Sequence, residues 1–433
     1  METRRFLEAN GVDSRWVDVD EDPLVRHLGG TGGPAPRYPL VLFADGSRLE
    51  GPPRYMRPRL VRSLGDLAPD DALAYEQTSA WRATLADRVG LPTRPAHERY
   101  DVLVAGGGPA GLTAALYAAS EGLRTLLVEV NAPGGQAATS SRIENYPGFP
   151  NGIGGAELAA STYAQAVRLG AEVLVGVEIW GPRPPAGDDA VVVTLSNGAT
   201  VRARAGVAAM GVHYRRLDAP GVEALIGAGV SYGSAPGEAA QQRGRDVVVV
   251  GGANSAGQAA LHLADHARRV TVVVRAGALA DGMSDYLVQR VEAHPRIAVR
   301  TRSRVVAARG DVRLEELEIA DAASGERSAL AADAAFILIG AQPITAGVEG
   351  WLCRDDHGFL VTGPDLLAQD GDRRWWPHAR DPLFLESSQA GVFVAGDLRH
   401  GSVKRVASAV GEGAMAVALV HEYLSRFAPR ARP

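Results

Sequence analysis

The fold of this chain turns on Asp101-Val102-Leu103-Val104-Ala105-Gly106-Gly107-Gly108-Pro109-Ala110-Gly111. A strand-like apolar run enters a glycine loop, a small-residue helix continues through Ala119, and a second strand, Thr125-Leu126-Leu127-Val128, ends in Glu129. Strand, glycines, helix, strand and terminal acid together make the dinucleotide fingerprint in the setting it requires. Gly106 makes the tight turn, Gly108 lets the backbone approach a pyrophosphate beside Pro109 and Ala110, and Gly111 lets the helix pack on the strand. The helix N-terminus stabilises the phosphate charge. Glu129 accepts hydrogen bonds from adenosine ribose hydroxyls.

A second copy begins at Asp246. Val247-Val248-Val249-Val250 leads into Gly251-Gly252-Ala253-Asn254-Ser255-Ala256, a helix to about His266, and the strand Val270-Thr271-Val272-Val273-Val274. This strand is followed by Arg275 instead of an acid. An acid would repel a 2′-phosphate and Arg would pair with it, so the second site is expected to take NADPH over NADH. Ala253 stands where the fingerprint has its central glycine, and its methyl would hold a pyrophosphate further off. A Rossmann-like unit that binds its nucleotide poorly is the competing reading.

The rest of the composition narrows the class. At roughly 150 residues per domain, 433 residues suggest about three domains. With 45 Lys and Arg against 50 Asp and Glu, the net charge is −5, without the basic excess of a nucleic-acid binder. An apolar fraction of 46% marks a globular chain, and 51 Gly with 26 Pro mark one with many tight turns. The opening Met-Glu-Thr-Arg-Arg carries no secretory signal and no long apolar run spans a membrane, so a cytoplasmic protein without membrane partners is expected. The single cysteine, Cys353, excludes an internal disulfide, a Cys-rich zinc site and a dithiol redox centre made by this chain alone. No metal site is expected.

Ahead of the first fingerprint, residues 1–95 read as a small α/β unit with a linker. A helix through Phe6 ends at Gly11, Arg15 to Val19 alternates like a strand, Pro39 to Phe43 is a second strand, and Asp45-Gly46 is a hairpin turn before Ser47-Arg48-Leu49. Residues 60–80 read as irregular, Trp81 to Val89 as helix, and Gly90-Leu91-Pro92-Thr93-Arg94-Pro95 as the domain boundary. The order, with Pro39 opening a strand, resembles the second half of a glutaredoxin or thioredoxin-like domain without the half that carries redox cysteines. A docking remnant and a cysteine-free covering or dimer element are both open, the second being favoured.

Two Rossmann units, the first ending in Glu129 and the second in Arg275, are followed and joined by further motifs. Over residues 98–428 the chain resembles the low-molecular-weight thioredoxin reductases. Pro133-Gly134-Gly135-Gln136 and Ile143-Glu144-Asn145-Tyr146-Pro147-Gly148-Phe149-Pro150 are similar to that family's loop along the flavin. The resemblance implies FAD in the first site, with Gly135, Gln136 and Asn145 facing it, and NADPH in the second. Gly391-Val392-Phe393-Val394-Ala395-Gly396-Asp397 looks like the second flavin motif, with Asp397 on the ribitol chain. Lys404-Arg405-Val406 would start a helix whose amides lie at the flavin's pyrimidine edge. Ala208 to Leu217 and Phe336 to Thr345 resemble the crossings between domains.

These expectations define an α/β protein of two Rossmann-like, three-layer nucleotide-binding domains, the FAD domain split by an inserted NADPH domain, plus the N-terminal thioredoxin-like segment. The expected ranges are 1–95 for the glutaredoxin-like remnant and linker, 98–217 and 335–433 for the FAD domain, and 218–334 for the NADPH domain. The resemblance also implies a homodimer.

It fails in one place. The family carries Cys-x-x-Cys after a Gly-Val-Ser-Tyr-like strand, and here Gly229-Val230-Ser231-Tyr232 is followed by Gly233-Ser234-Ala235-Pro236, with Gly237 and then Glu238 beyond. Neither Gly nor Pro exchanges a disulfide. The expected activity is therefore hydride transfer from NADPH to FAD and on to a non-disulfide acceptor, a small metabolite or oxygen. A ferredoxin or flavodoxin reductase with a redox-protein partner, and a non-catalytic flavin-binding sensor or scaffold, are the alternatives. No catalytic side chain is identified; His400, His213 and Glu238 are acid–base candidates, and the insertion with Trp375-Trp376 reads as a substrate lid or, the favoured reading, as packing or a dimer contact.

Overall fold

The computed structural model describes residues 2–14, 39–45, 47–52, 69–140, 143, 145–183, 189–232, 239, 241–369 and 374–427. In chain order these form α1 (Glu2–Ala9), β1 (Val41–Leu42), β2 (Arg48–Leu49), α2 (Pro69–Arg88), β3 (Arg99–Ala105), α3 (Pro109–Ser120), β4 (Thr125–Glu129) and α4 (Gly155–Arg168). Next come β5 (Glu172–Val175), β6 (Ile179–Arg183), β7 (Val191–Leu195), β8 (Thr200–Ala208), β9 (Val212–Tyr214), β10 (Val230–Tyr232), β11 (Asp246–Val250), α5 (Asn254–Ala264) and β12 (Arg269–Val273). They continue as α6 (Asp285–Glu292), β13 (Ile297–Arg300), β14 (Ser303–Arg309), β15 (Glu316–Asp321), β16 (Arg327–Ala331) and β17 (Ala334–Ile337). The chain closes with β18 (Ala341–Pro343), α7 (Pro364–Gln369), β19 (Val392–Val394) and α8 (Val406–Arg426). It divides into two compact units, one of residues 1–139, 155–212 and 343–433, the other of 140–154 and 213–342.

In the first unit the sheet order is β5-β4-β3-β8-β7-β6, with β19 on β8. Strands β5, β4, β3, β8 and β19 run parallel, while β6 and β7 are antiparallel. Parallel strands covered on both faces need continuous apolar runs, and Val102, Leu103 and Val104 of β3 are buried accordingly. Pro109 opens α3, where a missing N–H is harmless. Ala110, Leu112, Ala114, Ala115 and Ala118 press α3 against Leu127, Val207, Phe393, Ala416 and Val417. The second unit holds the parallel sheet β10-β17-β11-β12-β13 and the antiparallel β14-β15-β16. The mixed α/β architecture with two parallel nucleotide-binding sheets is the one the fingerprints demand.

Two expectations are corrected. Of the irregular stretch expected over 60–80, residues 60–68 lie outside the described residues, and from Pro69 the chain is instead helix α2, which runs unbroken to Arg88. Pro69 at the helix start, with Asp70 and Asp71 in the first turn, satisfies both steric and dipole preferences. The strand expected from Pro39 shortens to β1, paired antiparallel with β2. The strand expected at Arg15 to Val19 lies outside the described residues. The described part of 1–95 belongs to the first unit: Phe6, Leu7, Trp81, Leu85 and Ala86 form one buried cluster. The half-buried Glu178 side chain accepts hydrogen bonds from Tyr75 Oη and Ser79 Oγ of α2, both on buried residues.

Candidate functional site: two nucleotide-binding loops

Close backbone contacts explain Gly106 and Gly111 of the first loop. Gly106 has φ +99, and a Cβ there would lie 2.6 Å from Ala209 O. A Cβ on Gly111 would lie 1.9 Å from Gly106 O, so only glycine lets α3 start this close to β3. A Cβ on Gly108 would meet nothing within 4 Å, leaving open space ahead of the free amides of α3. Gly135, with φ +54, comes within 3.0 Å of Gly108 Cα measured from such a Cβ, and Gly134 N–H donates to Gly107 O at 2.6 Å. The Pro133–Gln136 turn is thus laid on the glycine loop, with Gln136 half-buried in it. Glu129, 7% exposed, accepts from Gly107 N at 2.7 Å and Asn131 N at 2.8 Å. An open, amide-lined cradle beside a fixed carboxylate fits a pyrophosphate and ribose, and so fits FAD.

The second flavin motif converges on the same helix start. A Cβ on Gly396 would lie 2.9 Å from Ala110 Cβ, and one on Gly413 of α8 would lie 2.3 Å from Ala110 O. Gly396 N–H donates to Glu412 Oε2 at 2.7 Å, and Arg399 Nη2 donates to Glu412 Oε1 at 2.6 Å. Arg399 and Glu412 carry no motif signal, which is why sequence reasoning passes over them. Burial pushes the Asp397 carboxyl above its usual range, against the pull of Lys404 and with reinforcement from Glu412. Burial also pushes the Lys404 ammonium down. Its Nζ donates to Asp397 O and Ser402 Oγ and lies 4.5 Å over the Phe359 ring. Helix α8 begins at Val406, with Arg405 as its cap, two residues after Lys404.

Other candidates are dispersed. His400 is paired through Nδ1 with Asp355 Oδ2 at 2.7 Å, in the first unit. His213 is half-buried in β9. Asn145, expected to face the flavin with Gln136, is exposed in a segment of the other unit, so the two are not assembled within one unit. Glu238 and residues 233–237 lie outside the described residues. Trp376 is fully buried in a cluster with Cys353, Val361 and Leu366, so the lid reading gives way to packing for that residue. Arg380 fixes the insertion by bonding Glu386 at 2.7 and 2.6 Å through its two terminal nitrogens.

The second loop repeats the first with two methyls added. Gly251 has φ +153, and a Cβ there would lie 2.4 Å from Leu338 O. Ala256 takes the place of the third glycine and is fully buried. Ala253 caps α5 at φ −99, ψ 177, matching Gly108 at φ −74, ψ −176. Its methyl therefore occupies the space that Gly108 leaves open. Asn254 Oδ1 accepts from Ser284 N at 2.8 Å, which ties the helix start to α6. Arg275 is exposed just beyond β12. Arg302, at the unusual φ of +49, donates its N–H to Ala276 O at 2.9 Å, which brings a second arginine to the same corner.

Two glycine-loop nucleotide sites in one chain, the first followed by an acid and the second by an arginine, define a two-nucleotide flavoprotein. The model of the pyridine nucleotide-disulphide oxidoreductase family matches residues 100–413, and the chain belongs to that family. It is 33% identical over 326 residues to a thioredoxin reductase of Treponema pallidum, covering 75% of this chain and 97% of that protein. It is 35% identical over 341 residues to a bifunctional thioredoxin reductase/thioredoxin of Mycobacterium leprae, covering 78% of this chain and 68% of that protein. Among solved structures, a thioredoxin reductase from Streptococcus pyogenes superposes with a TM-score of 0.67 at 31% identity, over 77% of this chain and 100% of that one. The protein is thus a thioredoxin-reductase-like oxidoreductase with the family's cofactors, FAD and NADPH. No helix among the described residues is long and apolar enough to cross a membrane.

Proposed function

We propose that the protein is an NADPH-dependent FAD oxidoreductase whose final acceptor is a small metabolite or oxygen, not a protein disulfide. One observation carries this reading: the chain has a single cysteine, Cys353, which is 4% exposed in the Trp376 cluster. Thiol–disulfide exchange needs an accessible thiolate and a resolving partner, and a lone buried thiol supplies neither. When bound, NADPH supplies a hydride that FAD accepts and holds for the acceptor.

The chain's own residues bind and orient. Gly106, Gly108, Pro109, Ala110 and Gly111 present the amides of α3 to the FAD pyrophosphate, and Glu129 accepts from the ribose. Gly135 and Gln136 line the loop that rests on Gly108. Gly396 and Asp397 hold the ribitol end, and Lys404, Arg405 and Val406 place the start of α8 where its amides favour negative charge. Gly251, Ala253, Asn254, Ser255 and Ala256 form the NADPH loop, with Arg275 for the 2′-phosphate. The relatives are named thioredoxin reductases, and where the sequence resemblance implies the family's Cys-x-x-Cys this chain has Gly233 and Pro236. We further propose a homodimer in the cytoplasm.

The test is anaerobic addition of NADPH to the FAD-loaded protein, followed separately by air, small oxidants and oxidised thioredoxin. Bleaching of the flavin, with colour restored by air or a small oxidant and not by thioredoxin, is the expected result. Thioredoxin reduction by the isolated chain would overturn the acceptor assignment, and failure to bleach would overturn hydride transfer itself.

A further inference from the structure

Helix α1 ends at the acid of the first nucleotide loop. Asn10 Nδ2 donates to Phe6 O at 2.8 Å, closing its own helix, and to Asn131 O at 2.9 Å, 121 positions along the chain. Asn131 N–H in turn donates to Glu129 Oε1 at 2.8 Å, and Gly107 N–H donates to Glu129 Oε2 at 2.7 Å. A continuous path of hydrogen bonds therefore runs from the end of α1, through the loop after β4, to the carboxylate and the glycine loop.

A second contact places α1 at the same sheet edge. Glu129 is in register with Val175, the last residue of β5, and Gly176 follows with φ +75. A Cβ on Gly176 would lie 2.6 Å from Ala86 Cβ and 3.0 Å from Phe6 Cζ. The Phe6 ring and α2 thus rest directly on backbone at the carboxyl ends of β4 and β5. Ligands of open α/β sheets bind in the crevice outside those ends.

We propose that the N-terminal helix is part of the FAD site, with Asn10 as a positioning residue that fixes the adenosine-binding loop around Glu129. This rests on the reading of Glu129 as the ribose acid. A side chain that accepts two ribose hydroxyls does so only while its own orientation is held, and Asn10 holds the residue whose amide holds Glu129. The cysteine-free N-terminal segment then serves FAD retention rather than electron relay.

Dissociation constants of FAD and of FMN, which lacks the adenosine half, are measured by flavin fluorescence for the full-length apoprotein and three variants. Asn10→Ala is expected to weaken FAD about fivefold, the equivalent of one hydrogen bond, and to leave FMN unchanged. Asn10→Asp is expected to weaken FAD more, because a carboxylate cannot donate and sets a negative charge against the Phe6 and Asn131 carbonyl oxygens. Glu129→Ala is the control. If it leaves FAD affinity intact, the ribose reading of Glu129 falls and this inference with it. If Glu129→Ala weakens FAD and the Asn10 variants do not, or if they weaken FAD and FMN equally, the inference alone falls.

Discussion

Arg275 stands exposed just past the end of β12, where a guanidinium can meet a 2′-phosphate without paying for burial. Arg275→Ala is expected to raise the KM for NADPH at least tenfold, a charge-assisted contact of about 1.5–3 kcal/mol, with little change for NADH. Steady-state kinetics with both cofactors check it, and equal losses would remove the phosphate role. Asp397 behaves differently, because its carboxyl is raised by burial, opposed by Lys404 and reinforced by Glu412. A carboxyl raised on folding binds its proton more tightly in the folded chain than in the unfolded one. Its contribution to stability is therefore greatest at low pH and is lost as pH rises from the ordinary carboxylate range through the raised value. The urea midpoint of FAD-free wild-type protein is expected to fall relative to Asp397→Asn as pH climbs from about 4 to 7. A pH-independent difference would contradict this.

At the scale of elements, the starts of α3 and α5 can be compared directly, since their cap residues share one backbone conformation. The difference is the Ala253 methyl. Glycine is also a better cap than alanine, so Ala253→Gly is expected to tighten NADPH several-fold without loss of thermal stability. An unchanged dissociation constant, by anaerobic titration, would show that the methyl does not obstruct the nucleotide. Helix α2 carries a different lesson. Its acidic stretch and breaker-flanked sequence read as irregular before Trp81, yet the helix starts at Pro69, because Ala74, Tyr75, Thr78 and Ser79 are buried. Pro69 and the two aspartates are helix-start signals, the stretch is rich in alanine, and burial of this face adds the stability that an isolated helix lacks. Glu178, with no motif around it, accepts from two hydroxyls of that helix. Glu178→Ala is expected to destabilise the protein by about 2–4 kcal/mol, since both hydroxyls lose their acceptor in a buried setting. Urea denaturation measures it, and a loss below about 1 kcal/mol would reassign the anchoring of α2 to apolar packing.

At the scale of the whole molecule, Ala110 is the point where two distant parts of the chain meet. Gly396 and Gly413 both approach it, so the fingerprint at 106–111 and the motif at 391–397 make one site only if α8 lies flush on α3. Gly413→Ala would set a methyl 2.3 Å from Ala110 O, and helix backbone cannot yield as a flexible side chain can. The expected result is a loss of about 1–3 kcal/mol in thermal unfolding, typical of overpacking, together with weaker FAD binding. Unaltered FAD binding would separate the α3–α8 contact from the site.

The strand–glycine–helix–strand units, the acid after the first and the arginine after the second were legible because backbone geometry and apolar periodicity are local. The absence of a dithiol was legible from a count of one cysteine. What only the tertiary structure decided are the pairings that no spacing encodes: Asn10 on Asn131, Arg399 on Glu412, His400 on Asp355, and Trp376 buried over Cys353. Such contacts join residues brought together by packing and satisfied by burial. Their partners lie at separations with no period, so only the folded chain brings them within hydrogen-bonding or packing distance.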